Sequence, residues 1–196
     1  MESRFTRLVE ALEFRLDPDD TRLISGPSGI GKTVLLQSLA GLWPFASGRV
    51  SLPGTRREAM FVPQLPYIPA GDLRTIVSYP LEDDTVDDRE AQEALTKVAL
   101  SHLVIRLNEA REWAKVLSVG EQQRVAFARI LLSTSRALFL DESTSALDEE
   151  LEQMLYHLIR AELPEMILIS VSHRATVEQF RARQLQLIGD GEWRLE

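Results

Sequence analysis

The sequence predicts an α/β fold with a mostly parallel core sheet flanked by helices and an antiparallel β portion. Three observations carry that expectation. Gly26-Pro27-Ser28-Gly29-Ile30-Gly31-Lys32-Thr33 fits the pattern G-x-x-x-x-G-K-[ST], between an apolar strand-like run and a helical run. Residues 137–141, apolar up to Asp141, and 166–171, apolar except for Ser170, read as strands covered on both faces. Near the end, 185–188 and 193–195 are joined through Gly189-Asp190-Gly191 and read as a hairpin.

Taken in order, Leu12-Glu13-Phe14-Arg15-Leu16 alternates and predicts a half-buried strand. Asp17-Pro18-Asp19-Asp20 predicts a turn. Residues 22–25 form the strand before the glycine-rich loop, and 34–40 the helix after it. That helix is expected to stop within Gly41-Leu42-Trp43-Pro44, because Pro44 cannot continue it. Residues 48–52 and 59–62 read as short strands. The segment 65–80, bounded and interrupted by prolines, reads as loop. The acidic stretch 82–89 predicts a solvated face, and 89–103 has helical periodicity through Ala91, Ala94, Leu95, Val98 and Leu103. A second helix is expected over 118–132, opened by the capping-box pattern Ser118-Val119-Gly120-Glu121. A third spans 148–162, stopped by Pro164.

Composition narrows the function. The length, 196 residues, suits one domain or one with a sub-domain, and 44% hydrophobic content suits a packed core. The net charge of −8 argues against nucleic acid as the main partner. No apolar run approaches the roughly 20 residues a membrane helix needs. The first residues, MESRFTRLVEALEF, are charged throughout, unlike a signal peptide. The absence of cysteine excludes disulfides and thiolate zinc sites.

The chemistry starts at the glycine-rich loop. Glycines let successive backbone N–H groups turn into one concavity, and the following helix adds unpaired N–H groups and the positive end of its dipole. An anion such as a nucleotide phosphate fits there. Lys32 would reach the β- and γ-phosphates, and the Thr33 hydroxyl would serve Mg²⁺. Asp141 and Glu142, adjacent carboxylates ending a buried strand, could bind the metal and orient or deprotonate an attacking water.

Further along, Leu117-Ser118-Val119-Gly120-Glu121-Gln122-Gln123-Arg124 resembles the signature motif of ABC-type ATPases, usually written LSGGQ. Ser145-Ala146-Leu147-Asp148 resembles the D-loop, Gln64 sits where the Q-loop glutamine does, and His173 follows an apolar run as the switch histidine does. The chain therefore looks like the nucleotide-binding domain of an ABC transporter, from about Leu8 to its C-terminus. Residues 40–44, 61–69, 73–80 and Glu112-Trp113 look most like the branch holding the bacterial peptide-antibiotic and vitamin B12 type and the peroxisomal fatty-acyl (D subfamily) transporters.

The resemblance implies a P-loop NTPase fold of ABC type across residues 1–196, with a helical sub-domain at about 72–132. It implies ATP and Mg²⁺, and a second ABC ATPase domain bound head-to-tail. A membrane-spanning domain, upstream in the same chain or as a separate subunit, completes the implied assembly, at the cytoplasmic face of a membrane such as the bacterial inner membrane. Residues 26–33 would hold phosphates. Thr33, Gln64 and Asp141 would serve the metal. Glu142 would be the general base, with Lys32, Gln64 and His173 contributing to catalysis. Ser118 and the Gly120 amide, with Glu121 beside them, would complete the partner's site, and Asp148 would help link the two sites. Apolar residues near Tyr67 and Ile68 would receive the membrane domain.

Departures also matter. Val119 and Glu121 replace the usual glycine and glutamine of the signature. Family members carry an upstream strand with an aromatic residue that stacks on adenine. The sequence starts too close to the loop to hold that strand, and Phe5 is a weak substitute. The expectation is a fragment of a longer protein, with weak ATP affinity and weak or absent hydrolysis in isolation. Two other readings stay open: an ABC-class ATPase outside transport, and a nucleotide-gated, non-catalytic interaction module.

Overall fold

The computed structural model describes residues 8–52, 58–81, 85–172 and 183–196. Along the chain run β1 (Thr21–Ser25), α1 (Lys32–Leu39), β2 (Ala59–Val62), β3 (Gly71–Asp72), α2 (Leu73–Ser78) and α3 (Asp88–Lys97). They are followed by a 3₁₀ turn (Ser101–Arg106), β4 (Ala110–Arg111), α4 (Trp113–Val116), α5 (Val119–Leu132), β5 (Ala137–Asp141), α6 (Glu149–Glu162), β6 (Ile167–Val171), β7 (Arg183–Gly189) and β8 (Glu192–Leu195). Two compact units result. One holds Met1–Phe61, Arg136–Glu142 and Glu165–Glu196; the other holds Val62–Ser135 and Ser143–Pro164.

The first unit is built on a six-stranded sheet in the order β2-β5-β6-β1-β7-β8. β5, β6, β1 and β7 run parallel, and β8 returns antiparallel to β7 as the terminal hairpin predicts. Ala137 lies opposite Ile167 and Asp141 opposite Val171, while Ile24 also lies opposite Val171. The C-terminal ends of β5 and β1 therefore meet the same end of β6, the edge where ligands gather in parallel sheets. Ile24, Leu36, Phe139, Ile169 and Leu185 belong to the buried core of this unit, and α1 covers β6, β1 and β5.

The helix α1 stops differently from the expectation. Gly41 turns into the left-handed region (φ 73°) three residues before Pro44. Its N–H donates to Ser38 O (3.0 Å), and the Leu42 N–H donates to Gln37 O (2.8 Å). This is a Schellman closure, for which glycine lacks the Cβ penalty.

The alternation at 12–16 survives as burial: Leu12, Phe14 and Leu16 pack against the core, and Ala11, Glu13 and Arg15 are exposed. It does not survive as a strand. The segment is tied instead at its start. Val9 bridges Gly191, the Glu10 N–H donates to Gly191 O (3.0 Å), and the Trp193 indole N–H donates to Glu10 O (2.8 Å). Residues 48–52 are likewise outside any strand, and Val50 stays exposed.

The second unit is mainly helical. Phe127 of α5 is fully buried and meets Tyr156 of α6 edge-on, with ring centroids 6.4 Å apart. Ala91, Ala94 and Leu95 form the buried side of α3, which packs on α5. A capping box of Asp87 and Glu90 starts α3. Contrary to the expected run to residue 103, α3 ends at Lys97; Ala99 takes φ 60° and the chain tightens into the 3₁₀ turn. The supposed loop 65–80 contains α2. Its prolines all fall outside the helix, Asp72 Oδ1 accepts from the Thr75 N–H (2.8 Å), and Leu73, Ile76 and Val77 are buried. Buried Trp113 donates its indole N–H to Glu109 O (2.9 Å), with the Arg106 guanidinium 4.6 Å from its ring centroid. Among the described residues no helix is long and apolar enough to cross a membrane.

Candidate nucleotide site

In the first unit, buried β1 delivers the chain directly into the glycine-rich loop. Gly26 takes φ 136°, and a Cβ there would lie 2.6 Å from Leu187 O on β7. Only glycine allows the loop to leave the strand this close to the neighbouring backbone. Ser28 and Gly29 stand exposed at the loop's crest. Lys32, in the first turn of α1, is 6% exposed and donates from Nζ to the carbonyl oxygens of Gly26 and Pro27, both at 2.9 Å. The ammonium thus braces the loop from within, close to the free N–H groups that open α1.

The adjacent Thr33 hydroxyl donates to Asp141 Oδ1 at 2.9 Å. This contact spans more than a hundred residues of sequence, and the parallel register β1-β6-β5 makes it possible. Burial pushes the Asp141 carboxyl above its ordinary range; the Glu142 charge adds to this, while the Thr33 hydrogen bond and Lys32 oppose it. Glu142 takes φ 48°, a left-handed conformation uncommon for a side chain of this size, and its N–H donates to Val171 O (3.0 Å). Such strain persists where surrounding structure fixes it, and it clusters at functional sites. The structure so brings Lys32, Thr33, Asp141 and Glu142 together. His173 lies outside the described residues, as does Phe5.

One prediction follows from the buried carboxylate. Its folded-state pKa is raised, so folding favours its protonated form, and stability falls as pH rises from the unfolded pKa through the folded one. Asp141→Asn keeps an acceptor for Thr33 and removes the charge. It is expected to raise the melting temperature of the nucleotide-free protein at neutral pH, with the gain shrinking at acid pH. Thermal unfolding of both proteins at two pH values checks this.

In the second unit, Ser118 is the N-cap of α5. Its Oγ accepts from the Glu121 N–H (3.3 Å), and Glu121 Oε2 accepts from the Ser118 N–H and hydroxyl, each at 2.8 Å. The capping box read from the sequence is present. Glu121 Oε1 also contacts His102 Nε2 at 3.0 Å. Burial pushes the Glu121 carboxyl up, but the Ser118 hydrogen bonds and His102 together hold it below its ordinary range. A carboxylate in place of glutamine is thus fully engaged in fixing the serine. Gly120 packs against the 146–147 segment, where a Cβ would come within 3.3 Å of Ala146 O. Gln64 is exposed, with Nε2 donating to Ser145 Oγ at 3.3 Å. Asp148 caps α6 by accepting from the Leu151 N–H (2.8 Å).

Sequence reasoning passed over three polar residues here. Gln122 donates to Ala114 O and Leu117 O, holding the chain that enters α5. Arg129 is buried and donates to Ile76 O and Tyr67 O, each at 2.8 Å; burial lowers its pKa to about 10, with Tyr79 opposing. Gln123 is fully buried. The available signal was the position of Gln123 three, four and seven residues before Ala126, Phe127 and Ile130, in the middle of an apolar stripe.

The family model described as ABC transporter matches residues 9–145, spanning the phosphate loop, the signature and the acidic pair. The chain belongs to the ABC transporter family. An uncharacterized ABC transporter ATP-binding protein of Haemophilus influenzae is 41% identical over 188 residues, covering 96% of this chain and 31% of that protein. The chloroplastic ABC transporter D family member 2 of Arabidopsis thaliana is 34% identical over 244 aligned positions, covering 97% of this chain and 34% of that protein. The chain therefore spans about a third of the length of these curated relatives. A bacterial Atm1-family ABC exporter, solved with ATP bound, superposes with a TM-score of 0.79 at 27% identity, over 95% of this chain and 35% of that one. The fold is thus the ABC-type α/β fold, and the D-family relative agrees with the branch that residues 40–44 and 61–69 resemble.

Proposed function

We propose that this chain is the ATP-binding and ATP-hydrolysing domain that powers an ABC membrane transporter, working as a head-to-tail dimer at the cytoplasmic face of a membrane. The observation that carries the reading is the Thr33–Asp141 hydrogen bond beside the Lys32-braced loop, with Glu142 held next to it in a strained conformation. The donor set fits Mg²⁺. Thr33 and Asp141 offer a hydroxyl and a carboxylate oxygen at one point, and Mg²⁺ characteristically takes few protein oxygens alongside substrate phosphates. That ion would supply charge neutralisation at the nucleotide's phosphate oxygens.

Lys32 exchanges its two loop carbonyls for phosphate oxygens, and the α1 N–H groups receive the remaining charge. Glu142 accepts the proton of the water attacking the γ-phosphorus, and His173 orients that water. Ser118 and the Gly120 N–H, at the start of α5, meet the γ-phosphate held by the second copy. Gln64 would serve the same ion, as the family resemblance implies. Positioning and charge stabilisation account for the chemistry, as phosphoryl transfer requires. Exposed Leu65 and Tyr67, with Tyr67 stacked edge-on against Tyr79 at 5.6 Å, offer the membrane domain an apolar contact; Ile68 is half-buried and contributes less.

The relatives described above are named as ABC transporters or an ABC exporter, which favours transport over the two other readings. The test is sedimentation of the protein with ATP and Mg²⁺, together with phosphate release. ATP-dependent dimerisation with phosphate release supports the proposal; a nucleotide-bound monomer that never releases phosphate overturns it.

A further inference from the structure

The buried carboxamide of Gln123, on the helix that begins after Ser118, touches two other segments, and the resemblance gives all three separate tasks. Its Nε2 donates to Gln64 O at 2.8 Å and to Ser145 Oγ at 3.2 Å. Its Oε1 accepts from the Ala146 N–H at 3.0 Å. Gln64 Nε2 donates to the same Ser145 Oγ at 3.3 Å, so one hydroxyl oxygen joins both glutamines. One turn earlier on α5, Gly120 lies close against Ala146 and Leu147.

We propose that Gln123 is a positioning residue for ATP hydrolysis: through one carboxamide it fixes the Gln64 segment and the 145–146 segment onto the helix that begins with Ser118. This rests on the nucleotide-site reading above. A carboxamide has two N–H donors and one oxygen, and here every one of them has a partner. No apolar residue can supply these contacts, and no shorter polar residue reaches from the helix to both segments. The side chain has no route to nucleotide, being fully buried. Its effect must therefore pass through Gln64 and through the 145–146 turn. A displacement of these groups by about 1 Å is enough to cost roughly 100-fold in rate.

Gln123→Met, nearly equal in length and volume, removes all three hydrogen bonds and keeps the packing. In the full-length protein it is expected to lower kcat by about 10- to 100-fold. It should also raise the Mg²⁺ concentration needed for half-maximal hydrolysis severalfold, because Gln64 loses its anchor. ATP affinity measured without Mg²⁺ is expected to stay unchanged. A merely structural residue would instead lower the melting temperature and leave the Mg²⁺ requirement alone. Amide hydrogen exchange at Ala146 gives a second readout that needs no hydrolysis: the variant should exchange faster there, while amides in the middle of α5 keep their protection. Should the wild type fail to hydrolyse ATP, the functional reading falls, and slow exchange at Ala146 in Gln123→Met would separately overturn the anchoring. If Gln123→Met does not fold, Ser145→Ala, which removes only the shared hydroxyl at an exposed position, must reproduce the raised Mg²⁺ requirement. A folded Gln123→Met with wild-type kcat and Mg²⁺ dependence overturns the proposal.

Discussion

Lys32→Ala is expected to reduce ATP hydrolysis by about 100- to 1,000-fold, the range for losing one preorganised donor to developing charge. The side chain is buried and has two partners within its own loop, so the substitution acts twice. It removes the ammonium proposed to meet the phosphates, and it unfastens the carbonyls of Gly26 and Pro27 from the interior of the loop. ATP affinity should fall as well, because the interaction exists in both the ground state and the transition state. Folding should persist, since the core around α1 is made by Leu35 and Leu36 rather than by Lys32. Equilibrium ATP binding and phosphate release, read against a thermal unfolding control, check the expectation. A fall of less than about tenfold in hydrolysis would contradict the role given to the ammonium.

Glu142→Gln separates chemistry from binding. Removing a general base costs typically about 100- to 10,000-fold. The substituted side chain keeps its length and the backbone keeps its Val171 hydrogen bond, so the strained φ of 48° is held as before. Hydrolysis is expected to collapse by that amount while ATP affinity is retained. On the proposed reading, in which hydrolysis releases the dimer, the variant should accumulate as an ATP-bound dimer. Size-exclusion chromatography with ATP, beside a single-turnover assay, reads both effects. Retention of wild-type turnover would move the base elsewhere and leave Glu142 as an orienting group.

The two substitutions rest on features of different legibility. The phosphate loop, the strand ending in Asp141 and the capping box of Ser118 and Glu121 are short-range patterns, and each is present as read. Turn chemistry was read less well. Pro44 drew attention as a helix breaker, while the closure is made by Gly41 three residues earlier. The prolines around 65–80 masked α2, although Asp72 and the spacing of Leu73, Ile76 and Val77 announce a capped helix. The alternation at 12–16 predicted burial correctly and pairing wrongly, because side-chain pattern reports the face and says nothing of a hydrogen-bonding neighbour. Gln123 was hidden for a related reason: its partners are 59 and 22 residues away, and only tertiary structure brings them to one carboxamide.

The tie between the two ends of the first unit has a mechanical meaning. Val9 and Glu10 are fastened to Gly191 and Trp193, and Leu8 lies against Gly31 at the threshold of α1. A pull applied at Leu8 is therefore borne by the β7–β8 hairpin, then by the β7–β1 ladder, and so arrives at the strand that carries the phosphate loop. The same path runs backwards. Trimming the last strand would slacken a segment 183 residues away in sequence, and tightening of the loop around an anion would be felt as tension at Val9 and Glu10.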